Sequence, residues 1–174
     1  TLERRRDWVA GRGFHPTWLE GDELFRREPA VNPHSACGLH FDADGQVDNR
    51  ALGRALRTVA GRAGCRIRSN TQVSALLHTT GRVRGVRAED GREYLADTVV
   101  LAAGAWSAAI GSLPRPLPVR PVKGEMIALS VGRPLLRTVV ETDGCYLIPR
   151  GSDEGACVWV GATSEEIGFR GGNT

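Results

Sequence analysis

The feature that most constrains this fold is a change of hydrophobic period near residue 64. Between Arg50 and Gly64, apolar side chains recur at spacings of three and four, which predicts an amphipathic helix with Asp48 as its cap and Gly64 just past its end. Short strand-like runs follow at 65–68, 72–77, 83–88 and 93–95. The dipeptides at 80–81 and 90–91 are of the hairpin type. A helix followed by a small antiparallel meander is therefore predicted.

The next segment is a continuous apolar run at 98–102, which predicts a strand buried on both faces. The run ends in small residues around Ala103 and Gly104, followed by a short helix at 106–110. Small residues, with the conformational freedom of glycine, let a backbone approach a planar or pyrophosphate-bearing ligand closely. On this segment alone, a plain strand–turn–helix corner explains the pattern equally well.

Four prolines in 113–121 predict an extended connector. Alternating patterns beyond it predict an antiparallel sheet with strands at 122–130, 136–141, 145–149 and 156–161. Before residue 46, the sequence predicts helices at 2–10 and 23–27, the second capped by Gly21-Asp22, an extended piece at 17–20 and a possible strand within 30–41.

The expected fold class is therefore mixed α/β (α+β). Residues 46–112 would supply part of one domain, with a helix, a strand and an antiparallel meander. Residues 1–45 and 113–174 would belong to a second domain with a mostly antiparallel sheet.

Composition narrows the class of protein. A hydrophobic content of 41% and a charged content of 25% are ordinary for a globular chain. The arginines are scattered, so the net charge of +3 does not indicate nucleic-acid binding. No apolar stretch is long enough to span a bilayer, so no membrane partner is expected. The chain starts without a methionine, and both of its ends look cut.

The four cysteines have neither C-x-x-C spacing nor a nearby pair of histidines, so we expect reduced thiols, no metal site and a cytoplasmic location. Gly11-Arg12-Gly13 lacks the third glycine and the preceding strand of a dinucleotide fingerprint. Ser107 sits in no G-x-S-x-G elbow. Glu165 and Glu166 would point to opposite faces of a strand. No side chain is therefore assigned as catalytic.

Several segments acquire meaning when they are considered together. They are QVDNRAL at 46–52, TQV at 71–73, AAGAWS at 102–107, LPVRPVKGEM at 117–126, CYLIPR at 145–150 and VGATSEEIGF at 160–169. In this order and with these gaps they closely resemble the D-amino acid oxidase-like flavoprotein family, and within it the glycine oxidases of thiamine biosynthesis. The resemblance covers nearly the whole chain.

The resemblance implies a two-domain oxidase with one noncovalent FAD. Its first βαβ unit would precede Thr1, and the arginine that pairs with the substrate carboxylate would follow Thr174. The chain would hold part of the FAD-binding domain and most of the substrate domain, and we expect it to be inactive alone.

The resemblance also implies roles for individual residues. Val73 matches the position whose backbone contacts the adenine ring. Ala103 and Gly104 match the corner beside the FAD, and Trp106 follows them. Tyr146 matches a substrate-pocket tyrosine, although a half-buried strand tyrosine would fit the same pattern. The remaining substrate position is Ser164, where relatives often carry methionine or valine, which leaves the amine preference open.

In such oxidases a neutral amine transfers hydride from its α-carbon to the flavin. The imine hydrolyses to a keto acid and ammonia, and O2 reoxidises the flavin, giving hydrogen peroxide. The expected partners are thus a small amino acid or amine and O2. The sequence is compatible with a homo-oligomer of the full-length protein as well as with a monomer. The alternative is a non-enzymatic binding or assembly module on the same fold, which would need a partner chain.

Overall fold

The computed structural model describes residues 1–151 and 155–172. The chain forms two compact units. The first comprises Thr1–Asp48 and Gly124–Thr163, and the second comprises Asn49–Lys123 and Ser164–Thr174. The connector 113–121, which the sequence pattern assigns to the antiparallel domain, therefore falls within the second unit.

The first unit opens with two helices and a two-stranded ladder. Helix α1 spans Leu2–Ala10, β1 spans Thr17–Glu20, α2 spans Gly21–Arg27, and β2 spans Cys37–His40. Strands β1 and β2 pair antiparallel. These elements lie where the sequence predicts them, with one correction: Asp22 does not cap α2, because the helix already begins at Gly21 with Glu20 at its N-cap position. The carboxylate of Asp22 instead lies in the first turn, where it interacts favourably with the positive end of the helix dipole.

The second unit opens with α3, Asn49–Arg62. Cys65 N donates to Ala60 O at 3.0 Å and Gly64 N to Gly61 O at 3.0 Å, which is the paired bonding of a Schellman ending. Gly64 has φ of +86°, the left-handed conformation that this ending requires. Gly64 therefore stands just past the helix, as predicted.

The predicted meander is present as a three-stranded antiparallel sheet in the order β3-β4-β5. Its strands are β3, Val73–Thr79, β4, Arg82–Ala88, and β5, Glu93–Leu95. Thr80 and Gly81 join β3 to β4 with φ of 49° and 79°. Two positive φ values match the twist that a two-residue hairpin needs, which explains why the dipeptide was informative.

Two predicted strands are absent. Residues 65–68 and 98–102 carry no ladder pairing in the structure, and Val100 is 83% exposed instead of buried on both faces. A strand exists only where a neighbour supplies its hydrogen bonds, and none of the described residues pairs with either run. The predictions failed because an apolar run shows that burial is needed, but not that a partner is present.

The second sheet belongs to the first unit and has the order β6-β9-β8-β7, antiparallel throughout. Its strands are β6, Met126–Ser130, β7, Val140–Thr142, β8, Cys145–Arg150, and β9, Cys157–Gly161. The predicted antiparallel sheet is thus confirmed, with shorter strands at 122–130 and 136–141. Buried apolar residues of this unit include Leu19, Leu24, Leu136 and Val158. Among the described residues, no helix is long and apolar enough to cross a bilayer.

Candidate flavin and substrate site

Val73 lies at the free edge of the β3-β4-β5 sheet, because β3 is an outer strand. It stands opposite Ala88, whose N–H donates to Arg92 O at 2.8 Å, while Glu89 N donates to Gln72 O at 2.9 Å. In an antiparallel ladder, this pattern surrounds a non-hydrogen-bonded pair. The N–H and C=O groups of both residues in such a pair point away from the partner strand. The backbone of Val73 therefore faces outward, with a donor and an acceptor that suit the edge of a purine ring.

The corner after residue 102 is built on glycine. A 3₁₀ helix spans Gly104–Ala109, with Ala103 as its N-cap residue. Gly104 has φ of +53°, and a Cβ placed there would meet nothing within 4 Å. The backbone conformation, and not a lack of room, is what favours glycine here. The space in front of this corner is open for another molecule.

A backbone contact fixes this corner segment to β3. Gly111 N donates to Ser74 O at 2.8 Å, and Leu76 N donates to Gly111 O at 3.0 Å. A Cβ on Gly111 would lie 3.0 Å from Ser74 O, so a side chain would force the two segments apart. His78 Nε2 lies 2.7 Å from Ser112 O and adds a second link. The structure thus connects the segment of Gly104 to the strand of Val73, although the predicted strand 98–102 is missing.

Trp106, the third residue of the 3₁₀ helix, is 63% exposed. Its ring stacks on Phe169, with centroids 5.5 Å apart and an angle of 24° between the planes. The sequence analysis missed Phe169 as a site residue. The only available signal was its place at the end of the VGATSEEIGF segment, which does not say which ring it meets.

Ser164 is exposed and begins the part of the second unit that follows β9. Its neighbour Glu165 exchanges two backbone hydrogen bonds with Lys123, at 2.9 and 2.8 Å. Arg120 binds Glu166 at 2.5 Å, and both side chains are mostly exposed. Ser164 therefore stands at the head of a segment that is fixed to the connector.

Tyr146 lies in the first unit, on β8, in a row that crosses three strands. It stands opposite Gly161, which in turn stands opposite Met126. A Cβ on Gly161 would lie 2.6 Å from Met126 Cγ and 3.2 Å from Tyr146 Cζ, so glycine makes room for the tyrosine ring. The Tyr146 hydroxyl donates to Met126 Sδ at 3.6 Å. A thioether is a weak acceptor, so a charged ligand oxygen would compete well for this hydroxyl.

The other neighbour of Tyr146 is Glu141 on β7, directly opposite in the ladder. Arg5 on α1 binds both carboxylate oxygens of Glu141, at 2.8 and 3.0 Å. This hydrogen bonding lowers the pKa of Glu141, and burial opposes it in part. The Glu141 carboxylate beside Tyr146 is thus ionised, and Arg5 neutralises its charge. An anionic ligand near Tyr146 would therefore meet less repulsion from Glu141.

The second unit thus joins an outward-facing backbone edge to a glycine corner, which is the arrangement expected beside a nucleotide cofactor. The chain belongs to the DAO family of FAD-dependent oxidoreductases, which it matches along residues 1–174. FAD is the cofactor of this family. The expected resemblance is therefore confirmed.

The relatives point the same way. The chain is 34% identical over 160 residues to hydrogen cyanide synthase subunit HcnC of Pseudomonas aeruginosa, covering 90% of this chain and 37% of that protein. It is 34% identical over 169 residues to the bifunctional protein ThiO/ThiG of a Nostoc species, covering 94% and 25%. The crystal structure of glycine oxidase from Geobacillus kaustophilus matches with a TM-score of 0.81 and 29% identity, covering 95% and 45%. The chain thus spans less than half the length of each of these proteins.

The residues present fit part of FAD. The outward backbone of Val73 offers the donor and acceptor that an adenine needs, and the positive φ of Gly104 with the open space before it suits close approach by a large ligand. Gly11 and Gly13, by contrast, follow the end of α1. A phosphate-binding glycine turn instead lies between a strand and the start of a helix.

Proposed function

We propose that this chain is part of a flavin-dependent oxidase that acts on glycine or another small amino acid or amine. The observation that carries the proposal is the position of the Tyr146 hydroxyl. Gly161 leaves room beside the tyrosine ring, and among the described residues the hydroxyl donates only to a thioether, at 3.6 Å. Membership in the DAO family and the likeness to glycine oxidase support the oxidase chemistry.

The residues of the chain would divide the work between cofactor and substrate. The backbone of Val73 would hold the adenine, while Ala103 and Gly104 would lie beside the FAD with Trp106 next to them. Tyr146 would donate to the substrate carboxylate, and Ser164 is a separate candidate for a substrate contact. FAD, when bound, supplies the hydride acceptor and passes the electrons to O2, which is released as peroxide. The protein then needs only to align a neutral amine and exclude water, without a general base.

The relatives suggest two reactions to which such an oxidation could belong, and these differ in their products. Likeness to proteins named ThiO/ThiG favours a glycine oxidase of thiamine biosynthesis, releasing glyoxylate and ammonia. Likeness to a hydrogen cyanide synthase subunit makes cyanide a second product to consider. A non-enzymatic module is the other candidate, because α3 has no buried residue and so presents its apolar side for another polypeptide.

The test uses the complete flavoprotein that contains this chain, mixed with glycine first without and then with O2. We expect glycine to bleach the flavin absorbance without O2, and we expect glyoxylate, ammonia and peroxide to form with it. Cyanide in place of glyoxylate would assign the protein to the cyanide-forming reaction. A flavin that no small amine reduces would refute the oxidase proposal and favour the non-enzymatic module.

A further inference from the structure

Phe169 occupies a defined place that no part of the proposed function uses. It stacks on Trp106 with ring centroids 5.5 Å apart. The pair stays largely open to solvent, at 63% exposure for Trp106 and 54% for Phe169. Because neither ring is buried in a core, packing around them does little to fix their orientation. The contact between the two rings is therefore what orients them.

The chain around Phe169 is fixed at both ends. We call residues 164–172 the strap. Near its start, Glu165 and Lys123 exchange backbone hydrogen bonds at 2.9 and 2.8 Å, and at its end Lys123 Nζ donates to Gly172 O at 2.6 Å. Between these points, Arg120 pairs with Glu166. Lys123 therefore holds the strap near both of its ends, and Phe169 lies between these points.

Trp106, by contrast, sits on an element with little rigidity of its own. The 3₁₀ helix has six residues and begins with a glycine of positive φ. Helices of this kind have poor hydrogen-bond geometry and short length. The indole therefore depends on an outside contact for a fixed orientation, and among the described residues the ring of Phe169 is the aromatic partner it has.

We propose that Phe169 is a positioning residue of the cofactor site: from the strap, it fixes the orientation of the Trp106 indole at the glycine corner. The proposal rests on the proposed function, because it takes Trp106 to be next to the FAD. The strap that carries Phe169 also begins at Ser164, which the proposed function assigns to the substrate. Loss of the ring at position 169 should then weaken FAD binding through Trp106 alone.

The experiment is a double-mutant cycle on FAD affinity in the complete flavoprotein, measured by flavin fluorescence on titration into the apoprotein. We expect Phe169→Leu to weaken FAD binding by about 3- to 10-fold, the range that an aromatic pair contributes. Phe169→Tyr keeps a ring and should restore the affinity to within about 2-fold. In a Trp106→Leu background, Phe169→Leu should have no further effect, because its contribution passes through the indole.

The matched control is Phe14→Leu, since Phe14 is similarly exposed at 59% and stacks on no ring among the described residues. This control should leave FAD affinity unchanged. Unfolding midpoints of all variants show whether a loss reflects the fold, and if Phe169→Leu does not fold, Phe169→Ile takes its place in the cycle.

Two outcomes would overturn the positioning role. Equal losses from Phe169→Leu with and without Trp106 would show that Phe169 acts independently of the indole. No loss from Trp106→Leu itself would remove both the positioning role and the assignment of Trp106 to the cofactor. Neither result touches the reduction of the flavin by glycine, which tests the proposed function separately.

Discussion

At the scale of single residues, Tyr146 is the side chain whose chemistry can be tested most directly. If Tyr146 donates to the substrate carboxylate as proposed, replacing its hydroxyl by hydrogen removes a bond worth about 1.5–3 kcal/mol. In the complete enzyme, Tyr146→Phe should therefore raise KM for glycine by about 10- to 100-fold and leave the flavin spectrum unchanged. Steady-state kinetics with peroxide detection measure the first quantity, and absorbance measures the second.

The chain provides a matched control, because it has two tyrosines and the other is Tyr94. Tyr94 lies on β5, where its hydroxyl is buried and has no hydrogen-bond partner in the part of the chain that the structure describes. Tyr94→Phe should leave KM where it is. An unchanged KM in Tyr146→Phe would make Tyr146 an ordinary strand residue.

Residue identity led to Tyr146 as a candidate but not to its neighbours, for a physical reason. Tyr146 could be proposed because its motif is local to β8. The roles of Gly161 and Met126 could not, since they arise only when three strands align in register. The same holds for Phe169, which meets Trp106 across a long stretch of chain. Contacts between distant segments leave no periodic trace in a single sequence.

At the scale of elements, Glu28 shows how a buried charge joins α2 to the segment that leads into β7. The residue is 4% exposed, and its Oε2 accepts hydrogen bonds from Arg137 N at 2.8 Å and from Thr138 N at 3.0 Å. Glu28→Ala should lower the free energy of unfolding by about 2–4 kcal/mol, because it leaves buried donors unpaired. Urea unfolding measures this. Glu23→Ala, an exposed site on the same helix, should change it by less than about 0.5 kcal/mol.

A loss from Glu28→Ala no larger than that from Glu23→Ala would contradict this account of the buried carboxylate. Glu28→Gln offers a finer comparison. It keeps one acceptor oxygen but not the charge, so its loss should lie between that of Glu28→Ala and that of the wild type.

The pairing of Arg5 with Glu141 joins α1 to β7 and should depend on pH. The pKa of Glu141 in the folded protein lies below its unfolded value, since the hydrogen bond from Arg5 favours the carboxylate. The stabilisation is therefore fully present above the usual glutamate pKa of about 4.3 and is lost as pH falls through the lower folded value. Both side chains are half-exposed, which limits the contribution to less than about 1 kcal/mol.

Unfolding of Arg5→Gln and of the wild type at several pH values checks this dependence. The two should differ by a fraction of a kcal/mol at pH 7 and converge in acid. Arg4→Gln on the same helix serves as the control for the change of net charge. A difference that persists undiminished at low pH would assign the effect to packing and not to the ion pair.

The elements that the sequence predicted correctly are those with a local signal. Helix α3 has the period of a helix and a glycine at its end, and the β3-β4 hairpin has a turn dipeptide. The run 98–102 is apolar enough for a buried strand, yet Val100 is exposed because burial depends on neighbours that the run cannot specify. The missing strand and the unburied face of α3 have the same cause, which is the absence of a covering layer from the described residues.

At the scale of the whole molecule, the second unit holds the candidate cofactor edge and corner but little core. Its α3 has no buried residue, and Leu56 on that helix is 61% exposed. The related glycine oxidase structure is more than twice as long, since this chain covers 45% of it. We therefore expect the surface formed by α3 to be covered in the complete flavoprotein, and the affinity for FAD to depend on that covering.

The corresponding prediction is that this chain alone binds FAD weakly or not at all. Under the proposed function Val73 and Gly104 would offer backbone contacts to parts of the cofactor, but the largest charge on FAD is its pyrophosphate. Pyrophosphates bind where a glycine-rich turn meets the N-terminus of a helix, whereas the closely spaced Gly11 and Gly13 follow a helix end. Titration of the isolated chain, followed by flavin fluorescence, should give no saturation at micromolar FAD. A submicromolar dissociation constant would show that the edge and the corner suffice, and that the pyrophosphate is held by residues other than a helix N-terminus.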